Sequence, residues 1–208
     1  MHDLIKRTIT AHKRIIFNGN GYDDAWLKEA KKRGLSNLQT TPDALCKFTD
    51  EKNIALFTAH KVYTEREIRS RYDILMESYC KLLHIEGRTM VDMAMKDILP
   101  AVSKYEKFLC DTVCSKKAVC ESIDCTYEQE VIAELSQKAK LVYEWTKTLN
   151  EALENAGKIS DITKLAFHYK KKVLCTMQEL RKNADILETL VAGKYWPYPT
   201  YGELLFGV

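Results

Sequence analysis

Glycine and proline are scarce in this chain, 8 Gly and 4 Pro among 208 residues. Gly19, Gly21, Gly34, Pro42 and Gly87 fall early, Pro100 and Gly157 stand alone, and Gly193, Pro197, Pro199, Gly202 and Gly207 crowd the end. The middle therefore has little to interrupt regular backbone, which favours long helices and excludes collagen and low-complexity sequence. No apolar run reaches the roughly 18 to 20 residues that span a bilayer. Met1 to Arg14 carry scattered charge where a signal peptide has an apolar stretch. A soluble, unexported, cytoplasmic protein with no membrane partner is expected. Lys+Arg number 32 against 29 Asp+Glu, so no concentrated basic surface follows and no nucleic-acid partner is expected. The 7 cysteines are odd in number and come without an export signal, which argues for reduced thiols over a disulfide scaffold.

What is present is a chain with 46% hydrophobic residues, long enough to bury a continuous core in one large domain or two small ones. Met1 to Phe17 is amphipathic through Leu4, Ile5 and Ile9, with a possible extended stretch from Arg14 to Phe17, and stops at Asn18-Gly19-Asn20-Gly21, a turn. Asp23 or Asp24 then caps a helix over Ala25 to Arg33 that Gly34 ends. Thr41-Pro42 opens a brief helix to about Phe48, and Asp50 caps another to about Lys61. Thr64 with Glu67 is a capping box, followed by an apolar seam at Ile68, Tyr72, Leu75, Tyr79 and Leu82. The seam resumes after Gly87 as Met90, Ala94, Ile98, Ala101, Tyr105 and Phe108, which allows two helices meeting near Gly87 or Pro100 and favours one long helix kinked at Pro100. Periodicity fails around Val113 to Thr126, a loop. Thr126 caps a helix with its seam at Val131, Leu135, Val142, Trp145, Leu149 and Leu153, and Ser160 caps the last, from Ile162 to Val191.

Most candidate chemistry has an ordinary reading. Cys110, Cys114, Cys120 and Cys125 are four soft ligands, but their spacing lacks the close Cys-x-x-Cys pair that zinc sites usually open with, and incidental thiols are expected. His2, His12, His60, His84 and His168 are scattered and read as surface or capping residues. Asn18 to Gly21 lacks the strand, third glycine or Gly-Lys-Ser/Thr of a phosphate loop. Met90, Met93 and Met95 read as core packing. Lys170, Lys171 and Lys172 read as a solvated face, and Glu65 with Arg69 and Glu67 with Arg71 as ordinary i,i+4 pairs. No catalytic, cofactor-binding or metal-binding residue is assigned.

The C-terminus differs. Residues 195–206 hold five aromatics in twelve positions, and Pro197 and Pro199 forbid continuing the preceding helix. Left free, such a segment would expose several hundred Å² of apolar surface. Tyr195, Trp196, Tyr198, Tyr201, Leu205 and Phe206 are therefore the candidate docking residues, either on the chain's own helices or on another domain or subunit.

Several stretches resemble a known family. His12-Lys13-Arg14-Ile15-Ile16-Phe17-Asn18-Gly19-Asn20-Gly21-Tyr22, with Trp26, Glu29-Ala30 and Arg33-Gly34-Leu35, is similar to the segment following the catalytic core of type III glutamine synthetases. Tyr195 to Tyr201 resembles that family's C-terminus. Ser70-Arg71-Tyr72, Thr89 to Ala94 and Ile98 to Tyr105 look like its C-terminal helical region. The resemblance implies a parent enzyme that joins ammonia to L-glutamate using ATP and magnesium or manganese through a γ-glutamyl phosphate. In that family carboxylates on strands hold the metals, and none of those motifs is matched here. The chain thus looks like the last part of such an enzyme, either shortened or separately translated from Met1, with no cofactor of its own.

The expected fold is all-α: an elongated antiparallel bundle of three long helices with short N-terminal helices and an aromatic C-terminal tail. Residues 1–62 would be a linker with short helices and 63–208 the bundle. The expected role is structural, in a homo-oligomer whose partners are the catalytic core and other subunits. A stand-alone helical interaction module, or a small metal-binding regulator using the cysteine loop, are the alternatives.

Overall fold

The computed structural model describes residues 1–206, and every regular element among them is helical. Helix α1 (His2–Ala11) leads through a tight turn at Lys13–Ile15 into α2 (Asp24–Lys32). Of the segment read as extended, Arg14 and Ile15 lie in the tight turn and Ile16 has extended backbone, and no strand forms there. The Asp23 carboxylate accepts from the Ala25 amide at 3.3 Å, and Gly34 ends the helix at φ +73°, a backbone state that costs a side-chain-bearing residue energy. Arg33 closes the unit. Its guanidinium pairs with Glu29 at 2.6 Å and donates to the carbonyls of Arg14 and Ile16 at 3.0 and 2.6 Å. Phe17 stacks on Trp26 with centroids 4.4 Å apart.

Helices α3 (Thr41–Phe48) and α4 (Glu51–Ala59) follow, the second ending two residues before Lys61. Asp50 stands at the N-cap position of α4, but its carboxylate makes no cap bond and lies 3.4 Å from Lys47. The capping box forms as the sequence implies: Thr64 Oγ1 accepts from the Glu67 amide, and Glu67 accepts from the Thr64 amide at 2.8 Å.

Helix α5 (Glu65–Met93) passes through a five-residue π turn, Ala94–Ile98, into α6 (Leu99–Val119). The π turn immediately precedes Pro100, which lacks an amide hydrogen and would drive its ring into the carbonyl four residues back. The wider turn, with the Leu99 amide donating to the Ala94 carbonyl, absorbs that conflict without ending the helix. The loop expected over Val113 to Thr126 is confined to residues 120–125. The apolar seam fades earlier because the end of α6 is exposed to water, while Lys116, Lys117 and Ala118 remain good helix formers.

Helix α7 (Thr126–Ala156) has Cys125 at its N-cap position without a side-chain cap bond, and the preceding Asp124 carboxylate accepts from the amide and hydroxyl of Thr126, so Thr126 is not the cap. Likewise Asp161, not Ser160, caps α8 (Ile162–His168), accepting from the Lys164 amide at 2.7 Å. A second π turn, Tyr169–Val173, joins α8 to α9 (Leu174–Leu190). Tyr169 and Val173, the residues at its two ends, are both buried.

Helix α7 packs against α5, α6 and α9. Met76, Leu135, Val142, Leu149, Val173 and Leu187 are fully buried in one continuous core. Gly87 is a contact rather than a break. A Cβ there would lie 3.1 Å from Leu153 Cδ2, so the missing side chain lets α5 and α7 approach closely. Lys116 pairs with Glu128 near one end of α7, while Arg88 donates to Asn150 at 3.0 Å toward the other. Tyr72 meets Thr163 at 2.7 Å and His84 meets Tyr169 at 3.0 Å.

Candidate functional site

The aromatic segment begins where α9 stops at Val191, whose backbone is extended and whose side chain is buried. The Tyr195 amide donates to the Ala192 carbonyl at 2.8 Å and the Trp196 amide to the Gly193 carbonyl at 3.2 Å, turning the chain back over the body. Tyr195 packs on Tyr105 and Phe108, centroids 5.3 and 5.8 Å away, and Lys194 Nζ lies 4.9 Å from the Phe108 and Tyr195 rings. Trp196 and Tyr198 meet edge to face at 6.3 Å. The Tyr198 hydroxyl donates to Asp97 in the first π turn at 3.1 Å. Burial pushes that phenol up to about 12, and the neighbouring Asp97 carboxylate adds to the shift.

Between this segment and the body lies a groove of about 350 Å³, walled by Met90, Met93, Ile98, Leu180, Ala184 and Trp196. Pro197 and Pro199 keep the chain out of helix behind it, with a bend at residues 197–198. Thr200 and Glu203 then form a second capping box, with the Thr200 amide donating to Glu203 at 2.6 Å, and open α10 (Tyr201–Leu205). Bonds from the Thr200 backbone and hydroxyl hold the Glu203 carboxyl below its ordinary range.

Of the six candidate docking residues, Tyr195, Trp196 and Tyr198 come together on the chain's own core. Leu205 and Phe206 do not join them and are exposed, as is Leu204. The side chain of Tyr201 lies outside the described residues. The segment thus divides into a docked half and a projecting half.

The other sequence candidates are dispersed. Cys110 and Cys114 are exposed on α6, not in a loop, and all seven cysteines are free. Hydrogen bonding from Ser122, 3.0 Å away, lowers the Cys120 thiol, while burial raises Cys80 to about 11. Among the described residues no group of three or more His, Cys, Asp or Glu converges as a metal site would require. No helix among them is long and apolar enough to cross a membrane.

Three readings of the surface need correction. Lys170 is not merely solvated: it pairs with Asp43, clasping α3 to the second π turn. His84 and His168 each bond across elements, His168 Nε2 lying 2.9 Å from the Ala152 carbonyl oxygen. Glu67 is taken up by its capping box, and Arg71 lies 4.7 Å from the Tyr63 ring instead of pairing with it. The partners of Lys170 and His84 are 127 and 85 residues distant, beyond the reach of local spacing rules. The one local sign was Thr40, three residues before Asp43, whose hydroxyl donates to that carboxylate at 2.6 Å.

Residues 1–117 match a family model described as glutamine synthetase C-terminal domain. Along 99% of its length the chain is 42% identical to a glutamine synthetase of Butyrivibrio fibrisolvens, covering 29% of that protein. It is 33% identical over 98% of its length to a type-3 glutamine synthetase of Dictyostelium discoideum, covering 28% of that protein. A glutamine synthetase of Bacteroides fragilis (strain YCH46) is 30% identical, with 28% of its length covered. The chain therefore spans less than a third of the curated relatives it matches, and corresponds to their C-terminal part.

Proposed function

Because the chain belongs to the glutamine synthetase C-terminal domain family, we propose that it braces the catalytic part of a type III glutamine synthetase and packs its subunits together. The carrying observation is full-length similarity to less than a third of each relative, in a chain whose described residues are helical and gather no metal-binding carboxylates. The parent reaction, ATP-dependent ligation of ammonia to L-glutamate, then belongs to the portion not covered here. ATP and magnesium or manganese would be held there, where metals and cationic groups can neutralise the transferring phosphoryl group.

In this reading the body is an elongated antiparallel bundle of three long helical runs, 65–119, 126–156 and 162–190. The pairings of Lys116 with Glu128 and of Arg88 with Asn150 support opposed directions for the first two. Residues 1–62 connect the bundle to the catalytic part, and the protein works in the cytoplasm as a homo-oligomer. The decisive experiment removes the matching region from the Butyrivibrio relative and supplies this chain in trans. Restored assembly and glutamine formation, with no turnover by the chain alone, is the expected result. ATP-dependent glutamine formation by the purified chain by itself would overturn it. A stand-alone interaction module would bind some other protein and leave the shortened synthetase unassembled.

A further inference from the structure

Helix α5 carries a second apolar stripe that its own core does not use. Ile74, Leu75, Leu82 and Ile85 are 57%, 48%, 58% and 62% exposed, on the side away from Met76, Cys80 and Leu83. At 3.6 residues per turn they fall within an arc of about 100° and run for about 16 Å. Ser78, a small residue, sits in the middle of that arc.

The charges around the stripe are arranged symmetrically about its centre. Arg71 and Glu86 are equally far from a point between Ser78 and Tyr79, and so are Leu75 and Leu82. Ile74 and Ile85, and Glu77 and Lys81, are centred within one residue of the same point. Arg71 and Glu86 are exposed and have no ion-pair partner among the described residues. Glu77 and Lys81 already pair along the helix at 2.9 Å.

We propose that this face of α5 pairs with the same face of a second copy of the chain, antiparallel, about a two-fold axis passing near Ser78. A two-fold interface sets residue i against j and j against i. About this axis Leu75 meets Leu82 of the second copy, Arg71 meets its Glu86, and Glu77 meets its Lys81. Both of these charged pairs are then of opposite sign and each of the four apolar side chains meets another, while Glu67 and Asp92, exposed near the two ends of the face, stay outside the paired stretch. A parallel register would place each of these charges against its own like. Four apolar side chains per copy make a patch smaller than a standard stable interface, so the pairing is weak alone and gains strength in a larger assembly. The inference deepens the assembly role proposed above by naming its face, and the two can fail separately. Trans-complementation tests the brace, while self-association of this chain tests the face.

The experiment is sedimentation equilibrium of the 208-residue chain at rising concentration, with variants at exposed positions whose helicity is checked by circular dichroism. Concentration-dependent dimers are expected, with Leu82→Glu raising the dissociation constant at least tenfold. Glu77→Lys and Lys81→Glu should each weaken pairing, and an equimolar mixture of the two should recover it as a heterodimer. Ser78→Cys under mild oxidation should give a Cys–Cys cross-link between copies at position 78, identified by peptide mapping without reduction. A chain that stays monomeric at every concentration would overturn the proposal. So would dimers that survive Leu82→Glu and give no cross-link at position 78, since another surface such as Leu204 to Phe206 would then be responsible.

Discussion

The body after Glu65 and the first 35 residues are held by opposite means. In the body, α7 inserts Leu135, Val142, Leu149 and Leu153 between its neighbours, and the first three are wholly removed from water. In the leading segment α1 buries nothing: Leu4, Ile5 and Ile9 face solvent, and one arginine, one aromatic stack and one left-handed glycine fix the turn behind it. Burial of apolar surface contributes stability in proportion to area, whereas exposed ion pairs and turn bonds add little each. The body therefore carries its own stability. The leading segment has an amphipathic sequence whose apolar side chains Leu4, Ile5 and Ile9 pack on nothing among the described residues.

Substitutions can break that contrast. The largest effect is expected from Leu149→Ala, which leaves a cavity in the centre of α7 and costs about 2 to 5 kcal/mol, against under about 0.5 kcal/mol for Ile5→Ala. Equal melting temperatures for the two variants would erase the distinction. Trp196→Ala comes next, at about 3 kcal/mol, the lower end for a large aromatic because the indole is only partly buried. Lys171→Ala should stay within about 0.5 kcal/mol, so a thermal melt of the pair measures how firmly the aromatic segment is docked.

Acid sharpens the same contrast more gently. The hydrogen bond from Lys116 holds the Glu128 carboxyl below its ordinary value of 4.5, and Lys170 does the same for Asp43. A carboxyl whose folded value is depressed stabilises the fold above its unfolded value, and that contribution is lost as pH falls through the folded value. Denaturant melts of the body should thus weaken progressively below pH 4.5, and Glu128→Gln should flatten part of that slope. An unchanged slope would remove Glu128 from the account.

Much of this was legible in the sequence, for identifiable reasons. The Thr64–Glu67 box and the Gly34 stop depend on neighbours within one or two turns, and each lies where local rules put it, whereas the seam read through Ile68, Tyr72, Leu75, Tyr79 and Leu82 is rotated, with Leu75 and Leu82 exposed and Met76, Cys80 and Leu83 carrying the core in their place. The family resemblance was legible too, because its motifs run along the chain in order. The two π turns were not. Pro100 announced a disturbance without its form, and nothing local marks the turn at Tyr169 to Val173. The end of α6 was misjudged because lost amphipathicity reports lost burial, which is not loss of helix. The aromatic segment announced that it must dock, but the choice of Asp97 and Tyr105 as its seat depends on packing between distant parts of the chain.

Hydrogen–deuterium exchange tests the central contrast most directly. In the isolated chain, amides of α7 and α9 should exchange only through global unfolding, while those of α1 and α2 exchange within the first time points. Adding the remaining portion of the Butyrivibrio relative should slow residues 2–33 and leave α7 unchanged. Equal protection of both regions in the isolated chain, or no change in the leading segment on addition, would contradict the account.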